Sequence, residues 1–121
     1  MPVTQSTSTT FRLALGLALV VATWAALTPH PLPIPDAPHA DKWAHLATYV
    51  LLALLVDASW PKRAFDLPKW LFLIGYGITI ELIQSQIPNR MFSLADIGAN
   101  ATGIALYAFF ILRILRTRGL R

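Results

Sequence analysis

Hydrophobic residues are grouped in four long stretches, which short polar or proline-rich segments separate. The first stretch, Leu13 to Thr28, is almost unbroken in Leu, Ala and Val and ends at Pro29. A helix rises about 1.5 Å per residue, so a stretch of this length nearly crosses the apolar core of a bilayer, about 30 Å thick. The pattern predicts an all-α membrane protein of about four transmembrane helices in a compact bundle. The remaining predicted spans are Trp43 to Trp60, Trp70 to Ile87 and Ala95 to Leu112.

The segments between these stretches set the predicted boundaries. Residues 1–12 are rich in Ser and Thr and predict a mobile cytoplasmic tail, and residues 113–121 predict a basic cytoplasmic tail. Residues 29–40 hold five prolines, which lack the N–H that helices and sheets use, so they predict an extended extracytoplasmic connector. Residues 41–112 then form a three-helix core. The first span, residues 13–28, precedes that connector.

A cleaved signal peptide is an alternative interpretation of the first hydrophobic stretch. Arg12 is the one charge that precedes it, and Thr23, Trp24 and Ala25 make a poor cleavage site because such sites require small residues. The sequence therefore favours a retained transmembrane helix over a cleaved leader.

Composition supports a membrane protein. Hydrophobic residues make up 55% of the 121 residues and charged residues only 13%, which is too few charges for an ordinary soluble domain. The absence of cysteine excludes disulfides, thiolate zinc sites and cysteine nucleophiles. The net charge of +4 does not indicate nucleic-acid binding, because the basic residues lie in short clusters beside the predicted spans.

Lys and Arg are distributed unequally between the two predicted sides. Eight lie near the termini or in the loop between the second and third spans, and two lie on the opposite side. Because basic residues concentrate on the cytoplasmic side, both termini are predicted to be cytoplasmic. The eight are Arg12, Lys62, Arg63, Lys69, Arg113, Arg116, Arg118 and Arg121, and the two are Lys42 and Arg90.

Polar residues recur at helical spacing on three predicted spans, so each set lies along one helix face. The sets are Asp41, His45, Thr48 and Tyr49 on the second span, Gly77, Glu81, Gln84 and Pro88 on the third, and Asp96, Asn100, Gly103 and Tyr107 on the fourth. Polar groups cost a few kcal/mol inside hydrocarbon, so the three faces should meet rather than contact lipid. Glu81 lies about 10 Å deeper than Pro88 and is the deepest predicted charge. Asp57, near the other end of the second span, is predicted to reach the lipid headgroups.

Two sequence blocks, DKWAHLATYVLLALL and GYGITIELIQSQIPNRMFSLADIGANATGIALY, resemble the signature blocks of the VanZ-like family of small bacterial membrane proteins. The resemblance covers residues 41 to 107. It implies a multi-pass protein of the bacterial cytoplasmic membrane with a role in the cell envelope. Founding members are linked with low-level glycopeptide-antibiotic resistance, and the family resembles more remotely membrane enzymes of phospholipid or polyprenyl headgroups. The positions carried over from the family are Asp41, Lys42, His45, Tyr49, Glu81, Gln84, Arg90, Asp96 and Asn100.

The predicted site faces outward and takes an anionic lipid headgroup, from a phospholipid or a polyprenyl-phosphate carrier, for a phosphoester or headgroup-exchange reaction. His45 is predicted to move a proton near neutral pH, and either Glu81 or Asp96 orients its ring; these two carboxylates are the other predicted catalytic residues. Lys42, Arg90 and the amino end of the fourth span suit a phosphate. The predicted binding residues are Asp41, Lys42, Tyr49, Gln84, Arg90 and Asn100.

No cofactor or metal is expected, although His45, Asp41, Glu81 and Asp96 offer metal-binding groups, because no chelating spacing such as HExxH occurs. A non-catalytic module that binds a lipid or an antibiotic is the alternative function.

Simpler structural roles compete with each functional assignment. Asp41 could cap the second span, and Ser93 to Asp96 fits a capping box. His45, Gln84 and Asn100 could be interhelical hydrogen-bonding groups. Lys42 could be merely interfacial and Arg90 merely a loop charge, whereas Ala99 and Gly103 have the spacing that lets two helices approach closely.

Overall fold

The computed structural model describes residues 5–28, 39–88 and 91–121. All regular secondary structure in these ranges is helical, so the prediction of an all-α protein is confirmed at this level. The helices are α1 (Gln5–Leu27), α2 (Ala40–Ser59), α3 (Leu67–Gln84), α4 (Leu94–Leu106) and α5 (Leu112–Thr117), and a π-helical turn (Tyr107–Ile111) joins α4 to α5. Most of the predicted connector, residues 29–38, lies outside the described residues. Ala40, at its predicted end, already belongs to α2.

Helix α1 begins at Gln5, well before the predicted start at Leu13, so residues 5–12 are not a separate tail. Tertiary contacts explain the difference. Phe11 packs against the hydrophobic core, and the Arg12 guanidinium donates a hydrogen bond of 2.9 Å to the carbonyl oxygen of Ser59. Arg12 also lies 5.2 Å from the ring centre of Trp60, within range for a cation–π contact. The hydroxyl-rich composition of this segment predicted none of these contacts.

Among the described residues, two helical segments are long and apolar enough to cross a membrane, Thr7–Leu27 and Leu94–Thr117. Both carry large hydrophobic side chains that no other part of the described structure covers. Leu17 is 67% exposed and Phe109 is 64% exposed. Contiguous apolar surface of this kind is typical of a membrane or protein interface. That α2 and α3 also cross the membrane is part of the proposed function.

Helix α2 lies at the centre of the bundle and packs mainly against α1 and α4. Its second half is almost entirely buried, and Leu52 and Ala53 lie in the core with Ile104 of α4. Gly103 sets the spacing between α2 and α4, because a Cβ atom there would overlap the carbonyl oxygen of Leu46. The predicted close approach at Gly103 is therefore confirmed.

The bundle has two chemically different ends. At one end, the carboxyl ends of α1 and α3 meet the amino ends of α2 and α4, as hydrogen bonds from Gln84 to Ala26 and from Lys42 to Asp96 show. At the other end, α1 begins beside the last turn of α2, where Arg12 contacts Ser59. Helices α1 to α4 therefore run in alternating directions. This arrangement gathers the polar residues of α2, α3 and α4 at the first end.

The π-helical turn replaces one turn of α-helix in the last helical segment. The N–H of Leu112 donates to the carbonyl oxygen of Tyr107, five residues earlier. Tyr107 and Leu112 are both buried, at 1% and 3% exposure, whereas Phe109 and Phe110 face outward. The wider turn thus keeps an inward face on the segment with a spacing of five instead of three or four.

Candidate functional site

Three side chains from three helices meet at the first end of the bundle. His45 comes from α2, Glu81 from α3 and Asp96 from the first turn of α4, and their ligand atoms all lie within 4.8 Å of one another. His45 Nε2 is 3.4 Å from Asp96 Oδ2. The predicted convergence of these three residues is therefore observed. We call His45, Glu81 and Asp96 the acidic triad.

Lys42 pairs with the acidic triad instead of standing free for a ligand. Its ammonium donates 2.6 Å to Asp96 Oδ1 and also bonds to Asp41 on the preceding residue. These bonds, first with Asp41 and then with Asp96, raise the pKa of Lys42 to about 12. The same hydrogen bond lowers the pKa of Asp41. The predicted phosphate-binding cation is thus held charged, but its charge is already shared between two carboxylates.

Asp41 does not cap α2. The capping position is His39, which has a left-handed backbone (φ 57°) and makes no side-chain cap, and Asp41 follows within the first turn. Asp41 is half exposed and lines the pocket described below. Its carboxylate therefore contacts Lys42 at the rim of the site.

The predicted capping box at the start of α4 forms only in part. Ser93 Oγ accepts a hydrogen bond of 3.1 Å from the N–H of Asp96, as an N-cap should. The Asp96 carboxylate does not reach back, because the N–H of Ser93 donates instead to Glu81 Oε2 at 3.0 Å. Asp96 is thereby left to face Lys42 and His45. Glu81 is fixed to the start of α4.

Two buried oxygens at this end of the bundle have no hydrogen-bond partner. They are Glu81 Oε1 and Asn100 Oδ1, and their residues are only 1% and 3% exposed. Buried polar atoms are almost always paired, and leaving one unpaired costs about 1–3 kcal/mol, more for a charged group. Two unpaired acceptors beside one pocket therefore indicate a missing donor or cation.

Gly77 makes room for Asn100 and Tyr49. A Cβ atom on Gly77 would lie 2.9 Å from the Tyr49 hydroxyl and 3.1 Å from Asn100 Nδ2. Tyr49 is buried, and its ring lies 6.3 Å from that of Tyr76. The glycine on the polar face of α3 thus allows two polar side chains from α2 and α4 to pack against the α3 backbone.

A pocket of about 290 Å³ opens beside the acidic triad. One wall is apolar and comes from three alanines of α1, Ala22, Ala25 and Ala26. The rest of the lining comes from α2, α3 and α4, and its polar side chains include His45, Glu81, Gln84 and Asn100. The volume of the pocket and its lining of both apolar and polar residues suit part of an amphipathic small molecule.

Two hydroxyl groups of the pocket, those of Thr48 and Tyr76, already form hydrogen bonds within the protein. Thr48 Oγ1 donates to the carbonyl oxygen of Ala44 at 2.8 Å, and the Tyr76 hydroxyl bonds to Thr23 Oγ1 at 2.7 Å. Among the described residues of the pocket, acid–base groups and metal-binding groups therefore outnumber candidate nucleophiles. His45, with a carboxylate 3.4 Å away, is suited to proton transfer.

Two predicted binding residues, Gln84 and Arg90, and one further member of the polar faces, Tyr107, remain to be placed. Gln84 lines the pocket, but its amide nitrogen donates 2.7 Å to the carbonyl oxygen of Ala26 and so ties α3 to α1. Arg90 lies outside the described residues. Tyr107, the last member of the polar face on α4, bonds to Asp57 at the other end of the bundle.

Sequence reasoning missed a second polar cluster at that other end. Asp57 is fully buried and does not reach the headgroups, so this prediction is wrong. Its carboxylate accepts hydrogen bonds from Lys69 Nζ at 2.7 Å and the Tyr107 hydroxyl at 2.6 Å. Arg121 adds a bidentate pair at 2.8 and 2.9 Å. We call these four residues the Asp57 cluster.

The Asp57 cluster includes the end of the predicted basic cytoplasmic tail, residues 113–121. The helix continues to Thr117, and Arg121 is bound to Asp57, so the last residue of this segment contacts the bundle. The cytoplasmic location of the segment stays a prediction. A charged residue inside an apolar stretch signals either a site or a buried ion pair. Lys69 and Arg121 were the available partners, but their distance along the chain concealed the contact.

The sequence matches no protein-family model, and neither a curated protein nor a solved structure is significantly similar to it. The resemblance to the VanZ-like family thus rests on the two sequence blocks alone.

Proposed function

We propose that the chain is a four-span protein of the VanZ-like family in the bacterial cytoplasmic membrane. In this proposal both termini are cytoplasmic, and the pocket binds the anionic headgroup of a lipid at the outer face. The observation that carries the proposal is the mixed lining of the pocket, which combines the alanines of α1 with the polar side chains of His45, Glu81 and Asn100. An acyl or prenyl chain would lie along the alanines and the headgroup against the polar side chains.

Charges around the pocket limit how a phosphate is held. Lys42 is already paired with Asp41 and Asp96, so it attracts a phosphate less than a free ammonium would. In the proposal, Arg90 supplies a further cation, because it precedes the short segment of residues 91–93 that leads into α4. The free N–H groups in the first turn of α4 add favourable dipoles.

Acid–base chemistry on the headgroup is the proposed reaction. His45 and the two carboxylates provide groups that can accept a proton from an attacking water and give a proton to the leaving group. This arrangement favours a phosphoester hydrolysis or headgroup exchange without a covalent enzyme intermediate. A role in glycopeptide resistance would follow if the lipid carries a cell-wall precursor.

A non-catalytic lipid- or antibiotic-binding module is the second candidate. It is favoured by the hydroxyl groups of Thr48 and Tyr76 in the pocket, which are already engaged with the protein itself. Catalysis predicts that His45→Ala abolishes function while the lipid still binds. A binding module predicts that Arg90→Ala is the more damaging change.

Mass spectrometry of lipids that copurify with the protein tests the headgroup proposal. We expect a phosphate-bearing lipid with the wild-type protein and its loss from Ala22→Trp, which fills the apolar wall. Val21→Trp is the matched control, because Val21 is 53% exposed on the outside of the same helix. Equal lipid content in all three proteins would contradict the proposal.

Reporter fusions and cysteine accessibility test the topology separately. We expect the C-terminus and a cysteine at Lys62 to be reachable only from the cytoplasm. Labelling of Lys62→Cys from outside would contradict the proposed orientation.

A further inference from the structure

The end of the bundle that contains the acidic triad holds more negative charge than the positive charge of nearby protein groups balances. Three carboxylates, those of Asp41, Glu81 and Asp96, face the single ammonium of Lys42 among the described residues at this end. Glu81 is 1% exposed, so water does not screen its charge. Its Oε1 atom has no partner. A buried carboxylate in this condition needs either a proton or a cation.

The geometry points to a divalent transition-metal cation, such as Zn²⁺ or Mn²⁺, bound by His45, Glu81 and Asp96; we propose that this is a metal site. An imidazole nitrogen and two carboxylate oxygens suit such ions better than Mg²⁺, which prefers oxygen ligands alone. Two donors about 2.1 Å from one tetrahedral ion are about 3.4 Å apart. The observed separation between His45 Nε2 and Asp96 Oδ2 is 3.4 Å.

In each of the two carboxylates of the triad, one oxygen accepts a hydrogen bond that fixes the orientation of the group. The other oxygen points toward the centre of the triad. Glu81 Oε2 accepts the N–H of Ser93, which leaves Oε1 free. Asp96 Oδ1 accepts the Lys42 ammonium, and its Oδ2 faces His45. Hydrogen bonds to the outer oxygens of metal-binding carboxylates commonly fix them in this way. The pattern is less easily explained by helix capping, which uses only Ser93 and a backbone N–H.

Three protein ligands leave at least one coordination position open, as in catalytic metal sites. His45 and Glu81 also line the pocket, so an open position would face its interior. A cation there would attract a phosphate oxygen or lower the pKa of a bound water. The metal site stands on the triad alone, whereas this role toward a phosphate rests on the proposed function.

Metal content and thermal stability in detergent test the site. The protein is purified without an oligohistidine tag, treated with EDTA, dialysed and titrated with Zn²⁺ or Mn²⁺. We expect about one ion per chain and a higher unfolding temperature with the ion. Glu81→Gln and His45→Asn should each weaken binding at least about 100-fold, more than outer hydrogen-bond partners of metal ligands usually contribute.

Matched variants separate the triad from nonspecific binding. Asp66→Asn changes an exposed carboxylate away from the triad, and His39→Asn changes an exposed histidine next to α2. Both should bind the ion like the wild-type protein. A wild-type protein that binds neither ion, or binds no better than Glu81→Gln, would overturn the proposal and favour a proton shared by Glu81 and Asp96.

The same preparations distinguish this inference from the headgroup proposal. A bound phosphate lipid in a protein that takes up no metal would overturn the metal site alone. A bound metal without any phosphate lipid would leave the metal site supported and count against the proposed function.

Discussion

Asp57 and Glu81 are both buried carboxylates, but their surroundings differ in one respect. Asp57 accepts hydrogen bonds from Lys69, Tyr107 and Arg121, which use both of its oxygens. Glu81 accepts one hydrogen bond from a backbone N–H, and its second oxygen has no partner. The two groups are equally inaccessible to solvent, at 0% and 1% exposure. Burial alone therefore does not distinguish a structural acid from a functional one.

The two carboxylates differ in how completely their oxygens are hydrogen-bonded. A fully paired buried network fixes the positions of the elements that contribute to it, and here it holds α2, α3 and the C-terminal segment together. A partly paired group keeps capacity for a ligand and costs stability in the absence of that ligand. The comparison predicts large stability effects at the Asp57 cluster and small ones at the acidic triad.

The largest expected effect is that of Asp57→Ala. Removing the carboxylate leaves the Lys69 ammonium, 6% exposed, without its counter-charge. Breaking such a buried pair costs about 3–5 kcal/mol of the free energy of unfolding. Thermal or denaturant unfolding in detergent measures the loss. Asp66→Ala is the control, because Asp66 is exposed; equal stability of the two variants would refute a structural role for Asp57.

Tyr107→Phe should have the next largest effect. The substitution removes the hydroxyl that donates 2.6 Å to Asp57 and changes little in shape. A hydrogen bond to a charged group contributes about 1.5–3 kcal/mol. Tyr76→Phe removes a hydroxyl bonded to the neutral Thr23 and should cost about 1 kcal/mol in the same unfolding assay. A larger loss at Tyr76 would reverse the expected order.

Arg121→Gln should cost about 1 kcal/mol of the free energy of unfolding, less than Asp57→Ala or Tyr107→Phe. The reason is that the arginine side chain is partly exposed, at 13%, and water screens its charge. Lys69 and Tyr107 continue to satisfy Asp57 in this variant. Added salt should reduce the difference from the wild-type protein. Arg118→Gln, on an exposed neighbour, is the control, and no difference between the two variants would show that Arg121 does not stabilise the fold.

In the metal-free protein, Glu81→Gln should change stability least, by less than about 1 kcal/mol, because the amide oxygen can still accept the Ser93 N–H. Activity should nevertheless fall by about 100-fold or more if Glu81 takes part in acid–base or metal chemistry. Headgroup turnover in reconstituted vesicles and unfolding in detergent measure the two effects. Glu81→Leu sharpens the comparison: a fully active, stable Glu81→Leu protein would defeat the functional interpretation of this residue.

The acidic triad could be predicted from sequence because its signals are local. His45 and Asp41 share a face of α2 through their spacing of four, and charges on separate spans must face one another to avoid lipid. The same reasoning identified Glu81 and Asp96. The exchange of partners at Ser93 was not predictable, because its N–H bonds to an acid twelve residues earlier on another helix.

The Asp57 cluster could not be predicted, since the partners of Asp57 lie 12, 50 and 64 residues away along the chain. Local pattern gives Asp57 only a position near a helix end, where contact with headgroups is the usual expectation. The early start of α1 was missed for a related reason. Phe11 and Arg12 stabilise that segment through contacts with residues far away in sequence.

After the π-helical turn, the number of residues in the last helical segment matters as much as their identity. The π-helical turn accommodates one residue more than an α-helical turn, so deleting one residue from Tyr107–Ile111 would restore an α-helical turn and leave the residues after it facing as before. Deleting one residue from Leu112–Thr117 would instead rotate everything after the deletion by about 100°. That rotation would carry Arg121 away from Asp57. Phe109 and Phe110, which face outward, could be exchanged for other apolar residues without this effect. The π-helical turn therefore tolerates both substitution and the loss of one residue, whereas the number of residues between Leu112 and Arg121 is fixed by the contact with Asp57.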